Sequence, residues 1–311
     1  MSARCPLTYE VLVSGARYSL AGLRQLSPKL TELKDFPYSA AEQRQEALKG
    51  ASKISIQGLQ PKISTQLSPL KGEFVIVTRN GKFILKPQSA DYSQMPENED
   101  LSMHLASLAG IEVPLHGLLR CADQSLTYFI KRMDRVGHKD KIALEDFAQL
   151  TNQSRETKYN SSIEKLIEVV QKFCTFPQLE MKRLFHRILF NFLIGNEDMH
   201  LKNYSLITLK GIHRLAPVYD FLNTTIVLAN PKEESALPLN GKKNHLTQRD
   251  LLIYLPEERM ALNKKTRDDV LTTLKNSVSQ WDDWITASFL SEELKGKYRL
   301  IVKGRRAKLG V

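Results

Sequence analysis

In the first half of the chain, short β-branched and aromatic runs alternate with turn-forming residues. Glu73 to Thr78 (EFVIVT) and Lys82 to Leu85 (KFIL) read as strands, and Asn80-Gly81 between them, a dipeptide favoured in tight type I′ turns, predicts a hairpin. Lys86 falls at the end of the second strand. After a polar loop with Pro87 and Pro96, Leu101, His104, Leu105 and Leu108 recur at helical spacing over Asn98 to Ala109, and Gly110 and Pro114 close that helix. Leu126 to Met133 (LTYFIKRM) predicts another strand, and the charged DRVGHKDK beyond it marks a boundary. The period then changes. Ile163 to Phe173 and Leu179 to Ile194 carry apolar residues almost all round, as buried helices do. Lys264 to Phe289 reads as one long amphipathic helix with Val270, Leu274, Val278, Trp281 and Ile285 on one stripe. No internal repeat interrupts this pattern, which predicts an α+β chain: a sheet-rich lobe over 1–135, a helical lobe over 136–311, and a ligand cleft between them.

With 311 residues, 42% of them hydrophobic, the chain can bury a substantial core. No apolar run approaches the roughly 20 residues of a membrane helix, and the first residues lack the apolar centre of a signal peptide, so a cytoplasmic protein that touches no membrane is expected. Cys5, Cys121 and Cys174 lie far apart, which predicts ordinary reduced thiols. A formal charge of +11 and a pI near 9.4 suit a polyanionic partner, but solvated lysine faces give the same excess. The densest basic stretch, KGKYRLIVKGRRAKLGV at the end, reads equally as a helix with a polar tail or as a docking site.

Candidate chemistry concentrates in IGNEDMHLKN, Ile194 to Asn203, and in Tyr219-Asp220-Phe221. Phosphoryl transfer needs a carboxylate beside the attacking hydroxyl, oxygen ligands for Mg²⁺ and a cation on the nucleotide phosphates. Asp198 and Asn203 have the D-x-x-x-x-N spacing that separates base and metal ligand in kinase catalytic loops, and Asp220 follows as a second metal carboxylate. Upstream, Lys86 ends a strand and Glu99 opens the next helix, where an ion pair belongs. Each residue has a plain alternative: a solvated strand-end lysine, a helix-dipole glutamate, a capped turn. Their joint order is that of kinases. There is no P-loop motif and no G-x-G-x-x-G; Ser55 to Lys62 (SIQGLQPK) stands ahead of the strands instead.

That octapeptide resembles the S-I-x-G-x-Q-x-K signature of HipA-like serine/threonine kinases. Phe83 to Pro87 (FILKP), Ala109 to Pro114 (AGIEVP), Lys131 to Arg135 (KRMDR), Ile194 to Asn203 and Leu215 to Asp220 (LAPVYD) are similar to further family motifs, over roughly residues 50–290. The resemblance implies a two-lobed protein-kinase-like fold that uses ATP and Mg²⁺. It implies Asp198 as catalytic base, Asn203 and Asp220 as metal ligands, Glu99 as ion-pair partner of Lys86, and Ser55 as an autophosphorylated serine. Nucleotide contacts would come from Gln57, Gly58, Leu59, Gln60, Lys62, Lys86, Lys131, Met133, His200, Lys202 and Tyr219. Lys131 and Met133 stand where the family has Glu and Phe, which leaves adenine to backbone groups. The short stretch before Ser55 is similar to the HipT type, in which a small HipS protein replaces the first subdomain. The expected partners are therefore a HipS-like inhibitor, a HipB-like DNA-binding antitoxin and a protein substrate, an aminoacyl-tRNA synthetase of the glutamyl or tryptophanyl kind. Direct nucleic-acid binding is not expected.

Two other readings compete. The D-x-H-x-x-N core also occurs in aminoglycoside phosphotransferases and lipid kinases, which makes a small-molecule kinase the alternative enzyme. A basic nucleic-acid-binding protein without catalysis would use the C-terminal cations and have no need of Asp198, Asn203 and Asp220.

Overall fold

The computed structural model describes residues 3–51, 60–137, 140–154 and 157–311. The chain divides into two compact units: Met1–Leu101, Pro114–Lys139 and Thr286–Leu290 form the first, and Ser102–Val113, Asp140–Ile285 and Ser291–Val311 the second.

The first unit holds α1 (Leu20–Leu26), α2 (Ala40–Ala51), β1 (Ile63–Ser68), β2 (Glu73–Ile76), β3 (Phe83–Lys86), the start of α3 (Met95–Leu108), β4 (His116–Arg120), β5 (Leu126–Lys131) and the two-residue β6 (Arg135–Val136). Five of these strands make an antiparallel sheet in the order β2-β1-β3-β5-β4. The expected hairpin is corrected here, because β2 and β3 do not pair with each other; both pair with β1, which lies between them. Strand β1, ISTQLS, is half polar and gives no strong hydrophobic signal, although Ile63 and Thr65 are buried. Asn80 takes the left-handed conformation (φ 57°) but Gly81 does not, so the expected type I′ turn does not form, and the bend there lays β3 onto β1: Lys82 N–H donates to the Thr65 carbonyl at 2.9 Å. Gly81 lies so close to β1 that a Cβ there would sit 2.0 Å from Ser64 Oγ. Below the sheet Phe74, Phe83 and Phe129 meet edge-on or tilted, with Leu85, Phe36, Leu30 and Cys121 in the same core. Apolar burial of this kind, about 25 cal/mol per Å², supplies the main drive for the unit to fold.

The second unit is chiefly helical. It contains the end of α3, β7 (Asp140–Lys141), β8 (Leu144–Asp146), α4 (Phe147–Leu150), α5 (Ile163–Phe173), α6 (Pro177–Ile194), β9 (Ser205–Leu209), β10 (Ile212–Leu215), a π-helix (Asp250–Arg259), α7 (Lys264–Val278), α8 (Trp281–Ala287) and α9 (Glu292–Leu309). Strands β10, β9 and β8 form a small antiparallel sheet. Helix α6 is the axis of the core: Leu184, Phe185, Leu189, Phe190, Leu193 and Ile194 are fully buried, and α5 and α9 pack on it. The single long helix expected over Lys264 to Phe289 is two helices, α7 and α8, broken at Ser279-Gln280. Two side chains compete with the backbone at the break: Ser277 Oγ donates to the Leu274 carbonyl (2.8 Å) and Ser279 Oγ to the Asn276 carbonyl (2.7 Å). The apolar stripe survives it, since Val270, Leu274, Val278, Trp281 and Ile285 are all buried. The basic C-terminal stretch is helical to Leu309, with Tyr298 and Val302 buried. Among the described residues no helix is long and apolar enough to cross a membrane, and all three cysteines are free and buried.

Candidate active site

In the second unit, the loop over residues 195–203 starts where α6 stops. Gly195 ends the helix in the left-handed conformation (φ 73°), and its N–H returns to the Asn191 and Phe192 carbonyls. Asn196 is buried and fixes the next residues: its Nδ2 donates to Asn191 Oδ1 (2.9 Å), and its Oδ1 accepts from the Asp198 N–H (3.1 Å). On the far side of Asp198, Asn203 Nδ2 donates to the Asp198 carbonyl (2.9 Å), and the His200 N–H does the same (2.9 Å). Asp198 is thus held from both flanks by its backbone, and its carboxylate is half-buried.

Asp220 reaches the same region by another route. Leu215 N–H donates to Glu180 Oε2 on α6 (3.1 Å), Val218 N–H to the Glu112 carbonyl (2.9 Å), and Phe221 is fully buried and stacked on Phe190 at 5.5 Å. Asp220 itself sits at φ 56°, a conformation that costs an L-residue about 1 kcal/mol and that Asp tolerates better than most. Its carbonyl lies 3.5 Å from Asn196 Nδ2, and beyond it Thr224 and Thr225 bond back to residues 195–197. Tyr219 donates its hydroxyl to the Lys202 carbonyl (2.9 Å) and, having one proton, accepts from Ser205 Oγ (2.5 Å).

These residues fit a Mg²⁺ ion. Asn203 spends its amide nitrogen on the Asp198 carbonyl, so its oxygen is the atom it offers, and Asp220 adds carboxylate oxygens. Hard oxygen donors are what Mg²⁺ prefers, and phosphate oxygens and water complete its octahedron.

Burial holds the His200 imidazole below its ordinary pKa, against the pull of Asp198, while Lys158 lowers it further. The neutral ring accepts at Nε2 from Lys158 Nζ (2.8 Å), which places its proton on Nδ1. Tyr159 stands edge-on to His200 (5.0 Å between centroids), and its hydroxyl donates to Asp198 Oδ1. Burial raises the pKa of this phenol and the bond to Asp198 raises it further, so it stays protonated at neutral pH. Sequence reasoning missed both Lys158 and Tyr159. They lie about forty residues from the loop they touch, and no spacing motif links them to it.

In the first unit, Lys86 and Glu99 form a buried ion pair at 2.5 Å, with Lys86 2% and Glu99 0% exposed. The β3–β5 register sets Lys86 opposite Tyr128, whose ring centroid is 5.5 Å from the ammonium. Lys131 is exposed at the end of β5, and Met133 is half-buried in the turn that follows. There Arg132 grips Asp134 with both arms of its guanidinium (2.9 and 2.8 Å), and this stiffens the chain beyond β5. Gln60 and Lys62 are half-buried just ahead of β1; Ser55, Gln57, Gly58 and Leu59 lie outside the described residues. Structure therefore brings Lys86 to Glu99 in one unit, and in the other it gathers Asp198, His200, Lys202, Asn203, Tyr219 and Asp220.

The HipA-like C-terminal domain matches residues 54–281. A Haemophilus influenzae protein named "Putative kinase" is 31% identical over 232 residues, 71% of this chain and 66% of its own. "Putative kinase Y4dM" of Sinorhizobium fredii is 30% identical over 255 residues, 76% of this chain and 61% of its own. The chain thus spans less than two thirds of the length of these relatives. Among solved structures, the Shewanella oneidensis MR-1 toxin–antitoxin complex of HipA, HipB and operator DNA aligns with a TM-score of 0.70 at 18% identity, covering 96% of this chain and 80% of that one. The Helicobacter pylori proinflammatory kinase CtkA aligns at 0.54 and 16% identity, covering 78% and 92%. At such identities the two structures establish a kinase-like α+β fold, and the match over 54–281 establishes the rest: this chain belongs to the HipA-like kinase family.

Proposed function

We propose that the chain is an ATP- and Mg²⁺-dependent serine/threonine protein kinase, the toxin of a toxin–antitoxin pair, closest to the short HipT type. The observation that carries this reading is the pinning of Asp198 between Asn196 and Asn203, with Asp220, in the segment after β10, bonded through its carbonyl to the same Asn196. Asp198 orients the acceptor hydroxyl and takes its proton. Asn203 and Asp220 hold Mg²⁺, which would neutralise charge on the phosphate oxygens. Lys86, oriented by Glu99, contacts the phosphates, with Gln57, Gly58, Leu59, Gln60 and Lys62 beside it; Lys131 and Met133 border adenine. His200, kept neutral, adds no charge beside the base, and Tyr219 acts through the Lys202 carbonyl it holds. In this reading residues 1–135 handle the nucleotide and 136–311 carry the base and metal ligands, Ser55 is autophosphorylated, and the target is a glutamyl- or tryptophanyl-tRNA synthetase. The Shewanella protein is seen with HipB and operator DNA, which supports a HipB-like partner here; a HipS-like inhibitor follows from the HipT reading.

The nucleic-acid-binding alternative is the weaker one, because the C-terminal cations it needs are engaged internally: Arg305 and Lys308 on Glu234, Lys295 on Glu292 and Arg299 on Asp282. Incubation with radiolabelled ATP, Mg²⁺ and a panel of synthetases tests the kinase reading. Asp198→Asn is expected to lower phosphotransfer about a thousand-fold while nucleotide still binds. Wild-type rates in that variant would remove Asp198 from the chemistry.

A further inference from the structure

The carboxylate proposed to receive the acceptor hydroxyl already has one. Tyr159 donates its hydroxyl to Asp198 Oδ1, and several contacts hold the segment that carries it against the loop. Lys158 Nζ reaches His200 Nε2 at 2.8 Å, the Lys158 carbonyl accepts from the Leu201 N–H at 3.4 Å, and the Tyr159 ring meets His200 edge-on. Other hydroxyls nearby are occupied elsewhere: Ser154 and Thr157 bond to each other, and Ser162 caps α5. Among the described residues, Tyr159 is the hydroxyl that addresses Asp198.

We propose that Tyr159 is a phosphoacceptor of this chain's own active site. The proposal rests on the kinase reading above, and ATP is the co-reactant. Asp198 takes the phenolic proton, Tyr159 Oη bonds to the γ-phosphorus, and the bond from that phosphorus to the β,γ-bridging oxygen breaks, so that ADP leaves with the electron pair. Tyr159 is 37% exposed, so the phosphate it gains can be solvated, and the Lys158 ammonium, 4.8 Å from the ring centroid, offsets part of the new charge. The phosphate adds about 1.5 to 2 negative charges beside the Asp198 carboxylate, so the modified side chain is repelled from the base and the base becomes free for a foreign hydroxyl.

The test uses the full chain with Mg²⁺-ATP, phosphopeptide mass spectrometry and, in parallel, a synthetase panel and the same mass spectrometry at Ser55. Expected are one phosphate on Tyr159, its loss in Asp198→Asn, and a rate per molecule independent of protein concentration. Tyr159→Phe, which keeps the ring contact with His200, should lose that phosphate and fold with an unchanged denaturation midpoint. Phosphotransfer to Ser55 or to a synthetase with Tyr159 unmodified would overturn the inference and leave the kinase reading intact. Absence of all phosphotransfer from active-state protein would overturn both.

Discussion

Gly195 carries two demands at one position. Its φ of 73° ends α6, and a Cβ there would lie 2.8 Å from both Ile301 Cγ2 and Thr225 Oγ1. Gly211, at φ 79°, has the same handedness with nothing within 4 Å of its Cβ position. Gly195→Ala is therefore expected to cost about 3 kcal/mol in urea denaturation, backbone strain plus overpacking, and Gly211→Ala only about 1 kcal/mol. Equal costs would show that crowding at Gly195 is relieved by small shifts. Lys86 and Glu99 pose a sharper question, since a buried ion pair can be structural, functional or both. Removing one partner breaks the buried pair, so Lys86→Met and Glu99→Leu alone should each cost about 3 to 5 kcal/mol. The double variant should recover much of that stability and none of the phosphotransfer. Activity in the double variant would take the phosphates away from Lys86. Asp198, Asn203 and Asp220 were legible in the sequence because one short loop carries the first two and the segment just after β10 carries the third, so spacing encodes their proximity. Tyr159 was not, since its approach to Asp198 depends on how a distant segment folds back.

Elements were legible where apolar periodicity was strong and isolated. Helices α3, α5 and α6 fall close to where spacing predicts them, and β2, β3 and β5 overlap the predicted strands. What failed was pairing and continuity. Strand β1 is too polar to announce itself, yet it takes the central place the Asn80-Gly81 signal reserved for a direct β2–β3 contact. Neither the turn type nor the partner followed the dipeptide, because a strand's partner is settled by burial across the sheet rather than by two local residues. The α7–α8 break is invisible to a hydrophobic stripe that continues through it. Helix α9 shows how a basic segment can be structural. Glu234, 15% exposed, pairs with Arg305 (2.9 Å) and accepts from Lys308 (2.5 Å), and its other oxygen accepts the Leu246 N–H (2.8 Å). Glu234→Ala should cost about 2 to 3 kcal/mol by stranding Arg305 and that backbone donor. A loss below about 0.5 kcal/mol in denaturation would mark these cations as ordinary solvated surface charges, the value exposed pairs have.

Across the whole molecule, net charge and buried histidines set how stability responds to pH. The formal charge of +11 counts histidine as neutral, so acidification adds positive charge to an already cationic chain. Burial, with Arg187 and Lys182 adding to it, lowers the His186 pKa from 6.5 to about 4. His200 is lowered by burial as well. A lowered histidine pKa means that the unfolded chain binds the proton first. Stability from such a group is whole above about pH 6.5 and is lost as pH falls toward about 4, at up to about 1.4 kcal/mol per pH unit per site. Carboxylates paired in the folded chain, such as Glu112 held down by Arg214, act lower, because their loss begins near the ordinary carboxylate pKa of 4.5. Urea midpoints measured across the interval should therefore fall steadily below pH 6.5 in the wild type. His186→Leu should flatten that slope by close to one proton's worth while leaving the steeper loss under pH 4.5 in place. An unchanged slope in His186→Leu would show that this imidazole takes up its proton without unfolding, and so that its surroundings admit water.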